Sequence, residues 1–124
     1  MDAIIVADDS TIIQNIVEKG IGEGYKVLKA KHGKEAINYI IRNKEYNIVG
    51  MFLDLTMPEY DGFMVLQYFK NNNLFKRYPV VIISGDDTRA TIDKAFRYDI
   101  VDMLAKPFSK DNIALMIEKM KNFK

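Results

Sequence analysis

The sequence has 124 residues, 48% hydrophobic and 28% charged, with a net charge of +1 and no cysteine. These values fit one soluble globular domain, and they exclude disulfides, thiol catalysis and cysteine-bound zinc. No apolar run approaches the ~18 residues of a membrane span, and a near-neutral charge gives no overall reason to bind nucleic acid. We therefore expect a cytoplasmic protein that binds neither membranes nor nucleic acid.

Short apolar segments alternate with longer amphipathic segments along the whole chain, which predicts alternating strands and helices. In chain order the predicted elements are strand Ala3–Ala7, helix Ser10–Ile21, strand Tyr25–Ala30, helix Lys34–Lys44, strand Ile48–Leu53, helix Gly62–Asn73, strand Val80–Ile83, helix Asp87–Tyr98, strand Val101–Ala105 and helix Ser109–Phe123.

The first, third and fourth predicted strands are apolar almost throughout, as strands buried on both faces are. The second and fifth interleave polar residues and fit the two edges of a sheet. Right-handed crossovers place helices on both faces of a parallel sheet. The fold class is therefore α/β, with a five-stranded parallel sheet and five helices in a three-layer α/β/α sandwich.

Polar side chains follow four of the predicted strands at the point where each strand ends. Asp8 and Asp9 follow the first strand, Asp54 follows the third, and Ser84 and Lys106 follow the fourth and fifth. In such sheets ligands bind beyond the carboxyl ends of the strands. We expect these five side chains to converge on one edge of the sheet.

Each polar residue also has a simpler structural explanation. Asp8, Asp9 and Ser10 can cap the first helix, Ser84 can belong to a turn, and Lys106 can be a solvated charge. Asp54 is different, because a carboxylate between Leu53 and Leu55 is costly to bury without a partner. The combination of residues therefore favours a functional site.

Three carboxylates gathered in one place repel each other unless a cation holds them together. Oxygen ligands with room for water suit Mg²⁺. A carboxylate can also attack a phosphoryl group and form an acyl phosphate, whose charge a lysine, a hydroxyl and the metal can neutralise. The strand ends therefore predict a site for Mg²⁺ and phosphoryl transfer.

This arrangement resembles the receiver domain of two-component response regulators, of the stand-alone chemotaxis type. The resemblance is carried by four segments in matching order and spacing: Asp8–Ser10, Asp54–Gly62, Ser84–Gly85 and Lys106–Phe108. It implies the flavodoxin-like strand order 2-1-3-4-5. It also implies that residues 1–124 form a single receiver domain without an output domain.

The resemblance also implies a role for each site residue. Asp54 would be the phosphoacceptor, Ser84 and Lys106 would bind the phosphoryl group, and the peptide bond between Lys106 and Pro107 would be cis. The implied Mg²⁺ ligands are Asp8 through water, Asp9 and Asp54 directly, and the backbone carbonyl of Thr56.

The function implied by the resemblance is signalling. The phosphoryl group would come from a histidine kinase or a phosphotransfer protein, and the surface of the fourth helix, fifth strand and fifth helix would then change to control a protein partner. We expect a monomer that phosphorylates itself and loses the phosphoryl group slowly, and that is not a turnover enzyme. Three positions depart from the family pattern: Met103 replaces a switching aromatic, Tyr98–Ile100 replaces the Ala-Gly-Ala segment often found after the fourth helix, and Gln14 replaces a basic residue.

Four alternatives stay open at this point. The chain is either a terminal regulator or a phosphorelay intermediate, and it can also be an interaction scaffold that is not phosphorylated. A phosphatase of the haloacid-dehalogenase type would carry a second aspartate where this chain has Thr56. A flavin-binding protein would carry a glycine- and hydroxyl-rich loop where this chain has Asp8–Thr11.

Overall fold

The computed structural model describes residues 1–123 and contains ten alternating strands and helices. The strands are β1 (Asp2–Ala7), β2 (Lys26–Ala30), β3 (Asn47–Asp54), β4 (Val80–Ser84) and β5 (Asp102–Ala105). The helices are α1 (Thr11–Ile21), α2 (Gly33–Arg42), α3 (Gly62–Asn71), α4 (Arg89–Ala95) and α5 (Lys110–Lys121). Across residues 1–123, no helix combines the length and apolarity that crossing a membrane requires.

The five strands form one parallel sheet in the order β2-β1-β3-β4-β5. This confirms the predicted α/β class and the flavodoxin-like strand order. The mixed strands β2 and β5 lie at the edges and are partly exposed, whereas every residue of β4 is buried. The polar content of a strand therefore predicted its place in the sheet correctly.

Apolar clusters on the two faces of the sheet form the core. Alternate residues of β1 face opposite ways, so Ile5 belongs to one cluster while Ile4 and Val6 belong to the other. The helices α1 and α5 cover the face of Ile4 and Val6, and α2 and α3 cover the opposite face. The arrangement is the predicted three-layer sandwich.

Helix α4 is shorter than the sequence pattern predicts, with seven residues that end at Ala95. Two backbone hydrogen bonds turn the chain into β5 directly afterwards: Ile100 N–H donates to the carbonyl of Tyr98, and Val101 N–H donates to the carbonyl of Val80. The helix ends early because the chain must reach the sheet edge. Ala95 is the buried residue of α4, so this helix places little of its surface in the core.

The close approach of α1 and α5 at Gly20 gives a test of the packing. A Cβ atom at Gly20 would lie 2.5 Å from the Cβ of Ile113 and 2.8 Å from the carbonyl oxygen of Lys110. We expect Gly20→Ala to lower the free energy of unfolding by about 1–3 kcal/mol, because neither neighbour can move freely. Gly24→Ala is the control, since a Cβ there meets nothing within 4 Å. Equal losses in urea denaturation of the two variants would contradict the packing described.

Candidate functional site

The strand register brings the polar strand ends together at the carboxyl edge of the sheet. The last residue of β1 pairs with the residue before Asp54, so Asp8 and Asp54 are neighbours. The last residue of β5 pairs with Ser84, so Lys106 follows directly beside it. The site is thus built from four strands that are far apart in sequence, and its geometry depends on the register of the whole sheet.

Three carboxylates form a compact cluster at this edge. Asp8, Asp9 and Asp54 each offer an oxygen, and these oxygens lie within 4.8 Å of one another. Asp8 and Asp54 are buried, whereas Asp9 is exposed. The cluster is therefore closed on the protein side and open to solvent beside Asp9.

The ammonium group of Lys106 lies between two of these carboxylates. Its Nζ is 2.8 Å from Oδ2 of Asp8 and 3.4 Å from Oδ2 of Asp54. Partial burial by itself lowers the pKa of Lys106, but the contacts with both carboxylates outweigh burial and raise it. Lys106 therefore keeps its charge at neutral pH.

Asp54 is held in an environment that resists its ionisation. Burial, and after it the charge of Asp8, raise the pKa of Asp54 from 3.8 to about 6, against the opposing effects of Lys106 and the Thr56 N–H. That N–H donates to Oδ1 of Asp54 at 3.3 Å, while the Thr56 side chain is exposed. A second positive charge at the cluster would offset the repulsion between Asp8 and Asp54.

The donor set fits Mg²⁺. The Oδ2 atom of Asp8 is buried and has no hydrogen bond within the part of the chain that the structure describes, although the Lys106 ammonium lies 2.8 Å from it as an ion pair. Three carboxylates against one ammonium leave the site with excess negative charge. Oxygen ligands that leave room for water are those that Mg²⁺ prefers.

Ser10, and not either of the two preceding aspartates, caps the start of α1. Ser10 is the N-cap of α1, and its hydroxyl accepts a hydrogen bond from the N–H of Ile13 at 3.3 Å. Oδ1 of Asp8 accepts one from the N–H of Ser10 at 2.8 Å. Because Ser10 caps the helix, the simpler explanation of the two preceding aspartates as helix caps does not hold.

Gln14 supports the site from beneath, a contribution that sequence reasoning did not assign. Its side chain is 3% exposed, and Nε2 donates to the carbonyls of Asp8 at 2.9 Å and Ala30 at 3.1 Å. It thereby fastens α1 to the ends of β1 and β2. The signal in the sequence was an amide on the same helical face as Val17 and Ile21, where apolar residues were expected.

The hydroxyl of Ser84 is engaged by its own turn. Ser84 is 1% exposed; its Oγ accepts from the N–H of Asp86 at 3.0 Å and donates to the Asp86 carbonyl at 3.2 Å. The Asp86 carboxylate accepts from the Thr88 N–H at 3.0 Å and from the Thr91 hydroxyl at 2.8 Å, and these bonds lower the pKa of Asp86. This Ser84–Asp86–Thr91 chain leads from the site to α4. Sequence reasoning missed Asp86, although an aspartate two residues before a helix-capping threonine is typical of such turns.

Comparison with known proteins identifies the family. The family model described as response regulator receiver domain matches residues 4–118, and the chain belongs to this family. Chemotaxis protein CheY1 of Helicobacter pylori (strain J99) is 28% identical over 108 residues, which are 86% of each chain. An NtrX-like putative response regulator of Rickettsia typhi is 30% identical over 120 residues, but the match covers 24% of that longer protein. The solved receiver domain of a Francisella response regulator is 29% identical, with 98% of both chains covered and a TM-score of 0.82.

The raised pKa of Asp54 predicts how stability depends on pH and metal. Since this pKa is about 6 in the folded chain against 3.8 ordinarily, ionisation of Asp54 opposes folding. The free energy of unfolding therefore falls by at most about 3 kcal/mol as the pH rises from about 4 to about 6, and the full loss is present above pH 6. At neutral pH without Mg²⁺, we expect Asp54→Asn to melt at a higher temperature than wild type. We also expect the variant to gain less from millimolar Mg²⁺.

The control is Asp87→Asn, which removes an exposed carboxylate outside the cluster. Thermal melts followed by circular dichroism should show wild-type behaviour for this control. If Asp54→Asn melts below wild type without Mg²⁺, the electrostatic description of the cluster is wrong.

Proposed function

We propose that the chain accepts a phosphoryl group on Asp54 from a histidine kinase or a phosphotransfer protein. The observation that carries the proposal is the place of Asp54 at the end of β3, with Lys106 Nζ at 3.4 Å and two further carboxylates beside it. Membership of the receiver family supports it, because receiver domains accept phosphate from histidine kinases and act on downstream partners. The same membership favours this function over the phosphatase and flavin alternatives.

In the proposed reaction a carboxylate oxygen of Asp54 attacks the phosphorus atom. The new O–P bond forms as the P–N bond of the donor phosphohistidine breaks, and the departing imidazole takes up a proton. The Lys106 ammonium pairs with one phosphoryl oxygen and the Ser84 hydroxyl donates to another. Asp8, Asp9, Asp54 and the Thr56 carbonyl would hold Mg²⁺, which when bound supplies the positive charge that neutralises the phosphoryl oxygens.

The product is an acyl phosphate that the chain itself hydrolyses slowly, so we propose a switch and not a turnover enzyme. Receiver domains are signalling proteins, which agrees with this view. We further propose that residues 1–124 work as one domain, as a monomer, in the cytoplasm, where ATP-dependent kinases supply phosphoryl groups.

The signal would leave the site through the Ser84–Asp86–Thr91 chain. A hydrogen bond to a charged phosphoryl oxygen is stronger than the neutral bond that Ser84 donates to the Asp86 carbonyl at 3.2 Å. Phosphorylation should therefore draw the hydroxyl toward Asp54. Because the Asp86 carboxylate holds Thr91 at 2.8 Å, rearrangement of this turn reaches α4.

Side-chain contacts hold α4 and the turn after it against α3. Lys94 Nζ lies 4.0 Å from the ring centroid of Phe63, and the Tyr98 hydroxyl is 3.1 Å from Oε1 of Gln67. The half-buried Met103 beside it on β5 is flexible and can repack with little change in exposed surface. We propose that α4, β5 and α5 present the output surface.

The composition of this surface indicates the kind of partner it fits. Phe96, just after α4, is 51% exposed, and Leu115 on α5 is 55% exposed. Basic residues accompany them: Arg89, Lys94, Arg97 and Lys110. We propose a protein partner that offers an apolar centre with acidic residues around it.

Phosphorylation at Asp54 can be tested by intact-mass spectrometry with Mg²⁺ and a small acyl phosphate donor. Wild type should gain the mass of one phosphoryl group, and Asp54→Asn should gain none, because an amide cannot form the acyl phosphate. The control Asp87→Asn, an exposed neighbouring carboxylate, should react like wild type. Equal uptake by wild type and Asp54→Asn would refute the assignment, and no uptake by wild type would favour the scaffold alternative.

The output route can be tested by comparing backbone amide NMR shifts before and after phosphorylation. Ser84→Ala should still be phosphorylated but show smaller changes around Met103. Asp86→Ala should lose the changes in α4, because the bond to Thr91 is gone. Asp93→Ala, which removes an exposed α4 carboxylate, is the control and should keep them. Changes that stay around the phosphoacceptor in wild type, or spread through α1 and α2, would contradict the route.

A further inference from the structure

A cavity lies at the opposite end of the sheet from the acidic cluster, between the C-terminal ends of α3 and α4. Its volume is about 350 Å³, in the lower part of the range of about 300–1,000 Å³ for small-molecule sites. Three cationic side chains and two aromatic rings line it: Lys70, Lys76, Arg97, Phe75 and Tyr98. The cavity therefore has the size and the lining of a site for a small anion that carries a ring.

The three cations are not neutralised by neighbouring carboxylates. Within residues 1–123, none of them lies within 4.0 Å of a carboxylate oxygen. The sequence places no acidic residue between Asp61 and Asp86, so every charged residue in the segment that contributes Lys70 and Lys76 is basic. The positive charge is local, since the chain as a whole carries only +1.

The negative ends of two helix dipoles offset only part of this positive charge. The C-termini of α3 and α4 each carry about half a negative charge, and Lys70 in the last turn of α3 complements one of them. Lys76 and Arg97 lie beyond the helix ends. Even after both dipoles and the lining residue Asp99 are counted, the three cations leave the cavity positive.

The aromatic rings are fixed in place before any ligand binds. The ring centroids of Phe75 and Tyr98 are 6.3 Å apart, and Phe75 packs edge-on against Phe69 at 5.4 Å. The Tyr98 hydroxyl is anchored to Gln67 at 3.1 Å. Asn73, whose φ is 54°, adds a carboxamide to the same lining. Two packed aromatic rings beside three exposed cationic side chains suit a ligand with one flat part and one charged part.

We propose that this cavity binds a nucleotide, with the base against Tyr98 and the phosphates on Lys70, Lys76 and Arg97. Bases of every kind stack on aromatic side chains, arginine and lysine are the phosphate-binding cations, and Asn73 can pair with a base edge. Arg97 and Tyr98 lie in the turn between α4 and β5. This site is separate from Asp54 and does not depend on the proposed phosphorylation.

The test is an NMR titration of the full chain with ADP, with adenosine and with inorganic phosphate. ADP should produce saturable shifts in the amides of Phe75, Arg97 and Tyr98. Its affinity should be at least tenfold higher than that of adenosine or of inorganic phosphate. Equal affinity for inorganic phosphate would overturn the nucleotide assignment. Absence of saturable shifts, or shifts spread over lysines of the whole surface, would overturn the site itself.

Charge variants provide a matched check. The pair Lys76→Glu and Arg97→Glu, combined in one chain, should weaken ADP binding at least tenfold. Both side chains are exposed, so the fold should be kept, as an unchanged melting temperature would show. The control combines Lys34→Glu and Lys44→Glu, which make the same charge change at exposed positions outside the cavity. Equal weakening by the control would show that only net charge matters and would overturn the proposal.

Discussion

The register of the parallel sheet is the constraint on which the rest of the structure depends. Lys106 and Asp8 follow β5 and β1, and Asp54 ends β3, so the ammonium reaches both carboxylates only when these strands keep their register. The apolar core therefore sets the register, and the register sets the site.

The same site works against stability, and this tension is part of how it works. Asp54 has a pKa of about 6 because it is buried beside Asp8, and one oxygen of Asp8 lacks a hydrogen bond. A domain selected for stability alone would replace such a cluster with apolar residues. Three carboxylates beside the single ammonium of Lys106 leave the site with excess negative charge, which favours the binding of a further positive charge.

The sequence predicted the features that repeat along the chain and missed those that depend on a single contact. All ten elements and the edge strands followed from hydrophobic periodicity, and the site residues from the rule that parallel strands end at one edge. The two carbonyl bonds of Gln14 and the link from Asp86 to Thr91 join residues brought together by folding, which no local pattern encodes. The early end of α4 at Ala95 has the same cause, since the entry into β5 fixes it.

The free energy available for switching follows from the hydrogen bonds that would change on phosphorylation. Ser84 would give up a neutral hydrogen bond worth about 1 kcal/mol and gain a charge-assisted one worth about 2 kcal/mol. The difference of about 1 kcal/mol shifts a two-state equilibrium roughly fivefold, far from the ~10⁴-fold needed for an all-or-none change. An aromatic side chain that moved between exposed and buried positions would add its hydrophobic burial to this difference, but Met103 is already half-buried and adds little. Under the proposed function we therefore expect a small shift between two states of α4, with the remaining free energy supplied by a partner that binds one state better than the other.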